Sequence, residues 1–246
     1  CHCLVGSEMC IRDRYSINEG ENIYLNYSIS SRKPNPSELF SEGLHHSSAR
    51  IEMGDLSFQS EVGNNISLTY NVSNEKSALT FNSFVNYVND FIYIIPVRTT
   101  STLAGVFPVW EYMQADANLY GFDIKYDKQY FDKFFIGHQF SLVKGYERSN
   151  HKPLINMPPA NLKNSISYNF LDFNNLNISL ESEYVFEQNE YPDTNFEIYI
   201  PTTQTYAMLD TSTPPEGYHL LNLSSSIRFN SKMGGEYKIN VRVENL

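Results

Sequence analysis

The stretches NIYLNYSIS (residues 22–30) and NNISLTYNV (residues 64–72) decide the fold that the sequence predicts. Apolar and polar residues alternate in both, which is typical of a β-strand with one apolar face and one polar face. Between them lies RKPNPSELFSEGLHHSSARIEMGD (residues 32–55), which is polar and rich in turn-forming residues. We therefore predict two antiparallel strands joined by a long loop, with the chemistry concentrated in that loop.

The same alternation recurs to the end of the chain and predicts about nine strands in total. The further segments lie near residues 79–87, 122–126, 139–142, 165–170, 178–187, 221–229 and 238–244. Several of these strands exceed the length of about five or six residues that is usual in soluble proteins. Long strands of this kind favour a sheet that crosses a membrane.

The predicted connections alternate in length. Short ones lie near residues 74–77, 128–133, 171–176 and 231–235, and long ones near 32–56, 96–110, 148–159 and 191–216. Short turns at one end and long loops at the other are typical of an outer-membrane β-barrel, whereas a sandwich has loops at both ends without this alternation. We predict an all-β, antiparallel transmembrane barrel segment with its polar residues facing the lumen.

The composition of the 246 residues excludes some classes of protein. The net charge of −10 argues against a nucleic-acid partner, which would require a basic surface. No apolar run reaches the roughly 18 residues of a transmembrane helix. A barrel strand requires only about ten alternating residues, so the composition is compatible with a barrel.

The first fourteen residues form a separate segment. Its three cysteines, Cys1, Cys3 and Cys10, are the only ones in the chain, and nothing downstream completes a four-ligand zinc set with them. The string GSEMCIRDR (residues 6–14) resembles the non-native translation of a sequencing-read end. We expect residues 1–14 to be foreign to the fold, and the domain to comprise residues 15–246.

The loop also carries the strongest family resemblance. The pattern R-x-P-x-x-x-E-L-F-x-x-G-x-H-H from Arg32 to His46, followed by I-E-x-G-D, resembles the late-barrel loop of TonB-dependent outer-membrane receptors. Further signals in the family's order are NDFIY (residues 89–93), LYGFD (119–123), PPANL (158–162), GYHLLNL (217–223) and VENL (243–246). The sequence departs from the family at Asp123, where Glu is usual.

The resemblance implies the second half of a plugged, roughly 22-stranded barrel in the bacterial outer membrane. It implies energised uptake of a small nutrient or metal ligand, and a barrel that is monomeric at full length. Its partners would be outer-membrane lipid and the TonB complex, which acts through an N-terminal plug. We expect the signal peptide, the plug with its TonB box, and the closing strand to lie outside this chain.

A candidate metal site lies in the loop. His45 and His46 stand among Glu42, Glu52 and Asp55, and imidazole with carboxylate suits zinc and similar ions. Adjacent residues of a strand point to opposite faces, so one histidine would enter a given site. The resemblance adds that a similar loop lends a histidine in the zinc-uptake branch of the family. A solvated loop without a ligand is the alternative.

The inferred lumen carries acidic residues. Glu181, Glu183 and Glu187 project to the polar face, where they form either a path for cations or an ordinary charged wall. Arg32 and Pro34, by contrast, are predicted to fix the end of a strand rather than to touch a ligand.

Two other functions compete with an uptake receptor. One is an outer-membrane barrel enzyme of the lipase or protease type, and the other is a soluble β-sandwich that binds a ligand. No G-x-S-x-G nucleophile motif or phosphate-binding glycine loop occurs, so we assign no catalytic residues. No cofactor is predicted either, apart from a transported ion such as zinc.

Overall fold

The protein is described by a computed structural model that covers residues 9–102, 105–171, 173, 176–200, 203–210, 213–230 and 235–246. In these residues, fourteen strands and one short helix follow one another. They are β1 (Met9–Asn18), β2 (Glu21–Arg32), α1 (Pro36–Phe40), β3 (Glu42–His45), β4 (Arg50–Met53), β5 (Glu61–Ser73), β6 (Ser77–Thr102), β7 (Gly105–Tyr130), β8 (Phe134–Glu147), β9 (Asn161–Phe170), β10 (Leu176–Val185), β11 (Phe196–Ile200), β12 (Thr205–Leu209), β13 (Tyr218–Asn230) and β14 (Glu236–Val243).

Ten of the strands form one continuous antiparallel sheet in the order β1-β2-β5-β6-β7-β8-β9-β10-β13-β14. β3 and β4 attach to this sheet through β7, and β11 pairs with β12 in a separate hairpin. Within the described residues β1 and β14 do not pair with each other, so the sheet is open. The prediction of an all-β, antiparallel and incomplete barrel is confirmed.

The two faces of the sheet differ in polarity as predicted. Partners such as Leu25 and Leu68 on one face are 51% and 39% exposed, and Leu180 is 43% exposed. The opposite face carries polar partners such as Asn26 and Ser67. Apart from Pro96 and two glycines, only six apolar residues in the described part of the chain are buried. Such apolar exposure would be unfavourable in water, and it is typical of the outward face of a transmembrane barrel.

The lengths of the connections alternate along the sheet, with one correction. β6 and β7 continue through most of the segment predicted as a long loop near 96–110, because they are 26 residues each and pair as far as Thr102 and Gly105. The prolines in that segment favoured a loop. Pro96 instead lies at a register shift, where a missing N–H is tolerated.

The N-terminal strand departs from the predicted boundary. Residues Met9–Arg14 continue β1 and pair with β2 in unbroken register, for example Ile11 with Tyr27. The structure thus places residues 9–14 in β1, and the predicted boundary at residue 15 stays a prediction. Residues 1–8 lie outside the described part of the chain, and the foreign origin of the segment stays a prediction. In the described residues, no helix is long and apolar enough to cross a membrane.

Candidate functional site

Arg32, at the end of β2, joins the start of β5 to the helix α1 at the rim with the long connections. Its Nε and Nη2 donate to the two carboxylate oxygens of Glu61, at 2.6 and 2.7 Å, and its Nη1 donates to Glu38 at 3.0 Å. Glu61 also accepts from the backbone N–H of Ile92 at 2.7 Å. Both carboxylates are buried, and the partly exposed guanidinium of Arg32 neutralises their charges. Arg32 fixes the strand end, as the sequence predicted.

The helix α1 is held at its N-terminus by a capping box. The Asn35 side chain accepts from the backbone of Glu38 at 3.0 Å, and Glu38 accepts from the backbone of Asn35 at 2.8 Å. Gly54 packs directly against this helix, because a Cβ there would lie 2.7 Å from the carbonyl oxygen of Glu38. Glu38 therefore serves both the cap and the Arg32 ion pair, which orients the whole loop on the rim.

The hairpin of β3 and β4 attaches to the extended part of β7. Residues 51–53 pair in parallel with residues 109–111. Buried Glu52 is ion-paired to Arg50 at 2.7 Å, and the Arg50 guanidinium lies 4.7 Å from the centre of the Trp110 ring. Tyr112 contributes its hydroxyl at 3.5 Å from Glu52. These contacts fix the hairpin against the extended strands.

The five residues predicted to hold a metal do not converge. His45 Nδ1 contacts the hydroxyls of Ser48 and Ser47 at 3.0 and 3.1 Å, and His46 is exposed in the adjoining turn. Glu42 is exposed, Glu52 is occupied by Arg50, and Asp55 accepts from the backbone of Ser57. The Ser57 hydroxyl, and secondly that backbone hydrogen bond, lower the pKa of Asp55. Across the described residues, no three His, Cys, Asp or Glu side chains are arranged to hold a metal ion.

Two of the three acidic residues predicted on the lumen wall are paired with cations. Glu183 is ion-paired to Lys163 at 3.1 Å, and Glu181 lies 3.7 Å from Arg242. Glu181 also accepts from Asn222 at 3.3 Å. Glu187 is exposed beyond the end of β10. The polar wall around Glu181 and Glu183 is thus a network of paired charges rather than a purely acidic stripe.

A cavity of about 390 Å³ lies between the connections 148–160 and 186–217, and the sequence did not predict it. Gln188 joins the two connections by donating to the carbonyl oxygen of Met157 at 3.0 Å. Glu190 fastens the second connection to β8 through Lys144 and the Tyr146 hydroxyl, and these two partners lower its pKa. The cavity walls come from segments that are far apart in sequence. The only signal for these walls in the sequence is the prolines and aromatic residues of the two connections.

The family model described as TonB dependent receptor-like, beta-barrel matches residues 14–246. The chain belongs to this family. The match covers the polar and apolar faces of the sheet, the loop that follows Arg32 and the connections around the cavity. TonB-dependent receptor barrels are bacterial outer-membrane proteins and not enzymes, so the barrel-enzyme alternative is wrong. The β-sandwich alternative is wrong as well, because one open sheet carries ten of the strands.

Solved structures with the same fold include several receptors of this kind. The copper transporter OprC gives a TM-score of 0.73 at 15% identity, over 97% of this chain and 33% of that one. The siderophore receptor PirA from Acinetobacter baumannii gives 0.64 at 13% identity, over 97% of this chain and 36% of that one. The FrpB iron transporter from Neisseria meningitidis gives a TM-score of 0.62 at 14% identity, over 97% of this chain and 34% of that one.

The chain thus spans about a third of the length of these TonB-dependent receptors. Among curated protein sequences, none matches it.

Proposed function

We propose that the intact protein is an outer-membrane receptor for TonB-energised uptake of a metal ion or a small metal chelate. The observation that carries this proposal is the family match over residues 14–246, together with a sheet that has an apolar and a polar face. The TonB complex would act through an N-terminal plug, and the barrel would be monomeric in outer-membrane lipid. The names of the similar structures, a copper transporter and an iron transporter, support a metal cargo without choosing the metal.

Zinc is the leading candidate for the cargo. The proposal rests on His45 and His46, which are exposed on the β3–β4 hairpin beside Glu42. Glu52 and Asp55 have partners of their own, so they would have to change partners to bind a metal. Because a zinc site needs about four ligands, other parts of the intact receptor must supply the rest.

Calorimetric titration of zinc into the intact receptor tests this proposal. We expect tight binding by the wild type and at least tenfold weaker binding by a His45→Ala, His46→Ala double variant, because the double change removes whichever imidazole is the ligand. The matched control is His138→Ala, which changes a histidine of β8 that contacts Asn164. Equal affinity in the double variant and the wild type would remove these histidines from the site, and no binding by the wild type would remove zinc.

A further inference from the structure

A band of polar side chains crosses the apolar face of the sheet near the rim with the long connections. Its members are His138, Asn164, Ser182 and His219. Ser182 lies two residues from the exposed Leu180 and therefore shares its face of β10, and Asn164 pairs with Ser182. His138 pairs with Asn164 in turn, and His219 pairs with Tyr184, the next residue of β10 on the same face. The polar band thus runs across β8, β9, β10 and β13.

Hydrogen bonds inside the polar band leave several donors without a partner. His138 Nδ1 lies 2.7 Å from Asn164 Oδ1, and the imidazole N–H is the donor because a carbonyl oxygen only accepts. Among the described residues the Asn164 amide nitrogen has no partner. The Ser182 hydroxyl lies 2.8 Å from His219 Nε2, and whichever group donates, this pair keeps one further N–H or O–H. Unpaired donors are costly in hydrocarbon, so the band requires acceptors from outside the chain.

The polar band lies at the depth of lipid headgroups. Asn164 and Ser182 are each three residues from the ends of β9 and β10 at the rim with the long connections. With a rise of about 3.3 Å per residue and a tilt of about 45°, they lie about 7 Å below that rim. The headgroup layer on each side of a bilayer is about 5–8 Å thick. The Tyr184 ring lies beside the band, with its centre 6.0 Å from that of His219, as is typical of the membrane interface.

The charge around the polar band favours an anionic acceptor. On this face of β8, β9, β10 and β13, the described residues include no Asp or Glu, since Glu181 and Glu183 lie on the opposite face. Glu190 reaches this side of β8 from its connection, but it is ion-paired to Lys144. Hydrogen bonds to an ionised acceptor are about twice as strong as those between neutral groups. Phosphate is the headgroup component that offers several such oxygens at one point.

We propose that the polar band binds the phosphate of an outer-leaflet lipid headgroup. Asn164, Ser182 and His219 supply the hydrogen-bond donors, and His138 orients the Asn164 amide by holding its oxygen. The ring of Tyr184 packs against the part of the lipid below the phosphate. This site lies on the outside of the barrel, so the inference goes beyond the uptake of a cargo and requires only that this face meets lipid.

Two matched lipids test the preference for phosphate. Lipid A with both phosphates and its dephosphorylated form share their sugars and acyl chains, and native mass spectrometry of the intact receptor in detergent measures the occupancy of each. We expect the phosphorylated lipid to bind about tenfold more tightly, because its hydrogen bonds are charge-assisted. Inorganic phosphate in large excess should not displace it. Equal binding of the two lipids, or displacement by inorganic phosphate, would overturn the proposal.

Variants of the polar band locate the binding. Asn164→Leu with Ser182→Ala should weaken the phosphorylated lipid about tenfold and leave the dephosphorylated one unchanged. The matched control is Ser83→Ala with Ser225→Ala, because these hydroxyls lie on the same face of β6 and β13 but outside the band. Both double variants make a lipid-facing surface more apolar, so both should fold. Wild-type affinity in the first variant, or an equal loss in the control, would contradict the assignment.

The orienting role of His138 has its own test. His138→Leu should weaken the phosphorylated lipid, whereas His138→Gln should retain it, because a glutamine amide can donate to Asn164 Oδ1. An equal loss in both variants would remove this role.

A second copy of the chain is the competing occupant of this face, and the same spectra report it. We expect a monomer with bound lipid. A dimer that is lost in the Asn164→Leu, Ser182→Ala variant would overturn the lipid assignment.

Discussion

Replacing Arg32 by alanine should release the loop of residues 33–60 from the rim. Removing one partner of a buried ion pair costs about 3–5 kcal/mol, because the other charge is left buried without compensation. Here Glu38 and Glu61 are both buried, but the Arg32 side chain is 45% exposed, so solvent screening reduces the loss. Both carboxylates also retain a backbone donor, from Asn35 and Ile92. We therefore expect a local destabilisation of about 2 kcal/mol, which is about thirtyfold in an opening equilibrium.

Hydrogen exchange in the intact receptor measures this opening. The amides of Glu38 and Asp55 are hydrogen-bonded within the loop, to the Asn35 side chain and the Glu38 carbonyl, and should exchange about thirtyfold faster in Arg32→Ala. The matched control is Arg98→Ala, whose ion pair with Glu111 lies on the extended part of β6 and β7 and is largely exposed. That change should cost at most about 1 kcal/mol. Unchanged exchange in Arg32→Ala, or an equal effect on this loop in Arg98→Ala, would refute the reasoning.

Three further predictions follow from single contacts. Gly54→Ala should displace α1 and lower the free energy of unfolding by about 1–3 kcal/mol, since the new Cβ would lie 2.7 Å from the Glu38 carbonyl oxygen. Gly63→Ala is the control and should be tolerated, because its Cβ would meet its nearest neighbour at 3.4 Å. Chemical unfolding of the two variants measures the difference. The contacts with Lys144 and Tyr146 lower the pKa of Glu190 from its ordinary value of 4.5. These contacts therefore stabilise connection 186–217 above pH 4.5, and the stabilisation is lost as the pH falls through the lowered pKa, because the carboxylate becomes protonated. A spin label at Asn189 should therefore become mobile in acid, and in Glu190→Gln it should be mobile at every pH. Arg50→Ala should shift the emission of Trp110 to longer wavelength in a receptor that retains no other tryptophan, and Arg98→Ala should not.

The sheet could be predicted from the sequence because a period of two is a local signal. Residues 22–30 and 64–72 form β2 and β5 with the predicted faces, and the register pairs Leu25 with Leu68. Arg32 was correctly assigned to the strand end. The extension of β6 and β7 was not predicted, because Pro96 and Pro108 are typical of a loop. The register shift near Pro96, which lets the strand continue, is visible only in the structure. The pairing of residues 9–14 with β2 could not be predicted, because it depends on a partner strand and not on their own composition.

The candidate site could be predicted only in part, because its contacts are not local. The sequence places Glu52 near His45. It does not show that Arg50 pairs with Glu52, or that β4 pairs in parallel with β7, the strand that carries Trp110. The cavity requires two connections to fold towards each other, and Gln188 joins them across 31 residues of sequence. No periodicity signals such a contact.

The central claim is that the apolar face of this sheet meets lipid while the polar face lines the lumen of an outer-membrane receptor. Single cysteines in the intact receptor, reconstituted in bilayers, test it most directly, after Cys1, Cys3 and Cys10 are replaced by serine. Labels at Leu25, Leu68 and Leu180 should be quenched by lipid-soluble nitroxides, and labels at Asn26, Thr69 and Glu181 by water-soluble reagents. Alternation of the two behaviours along each strand is the predicted result. Equal access of the water-soluble reagent to both sets would contradict the account.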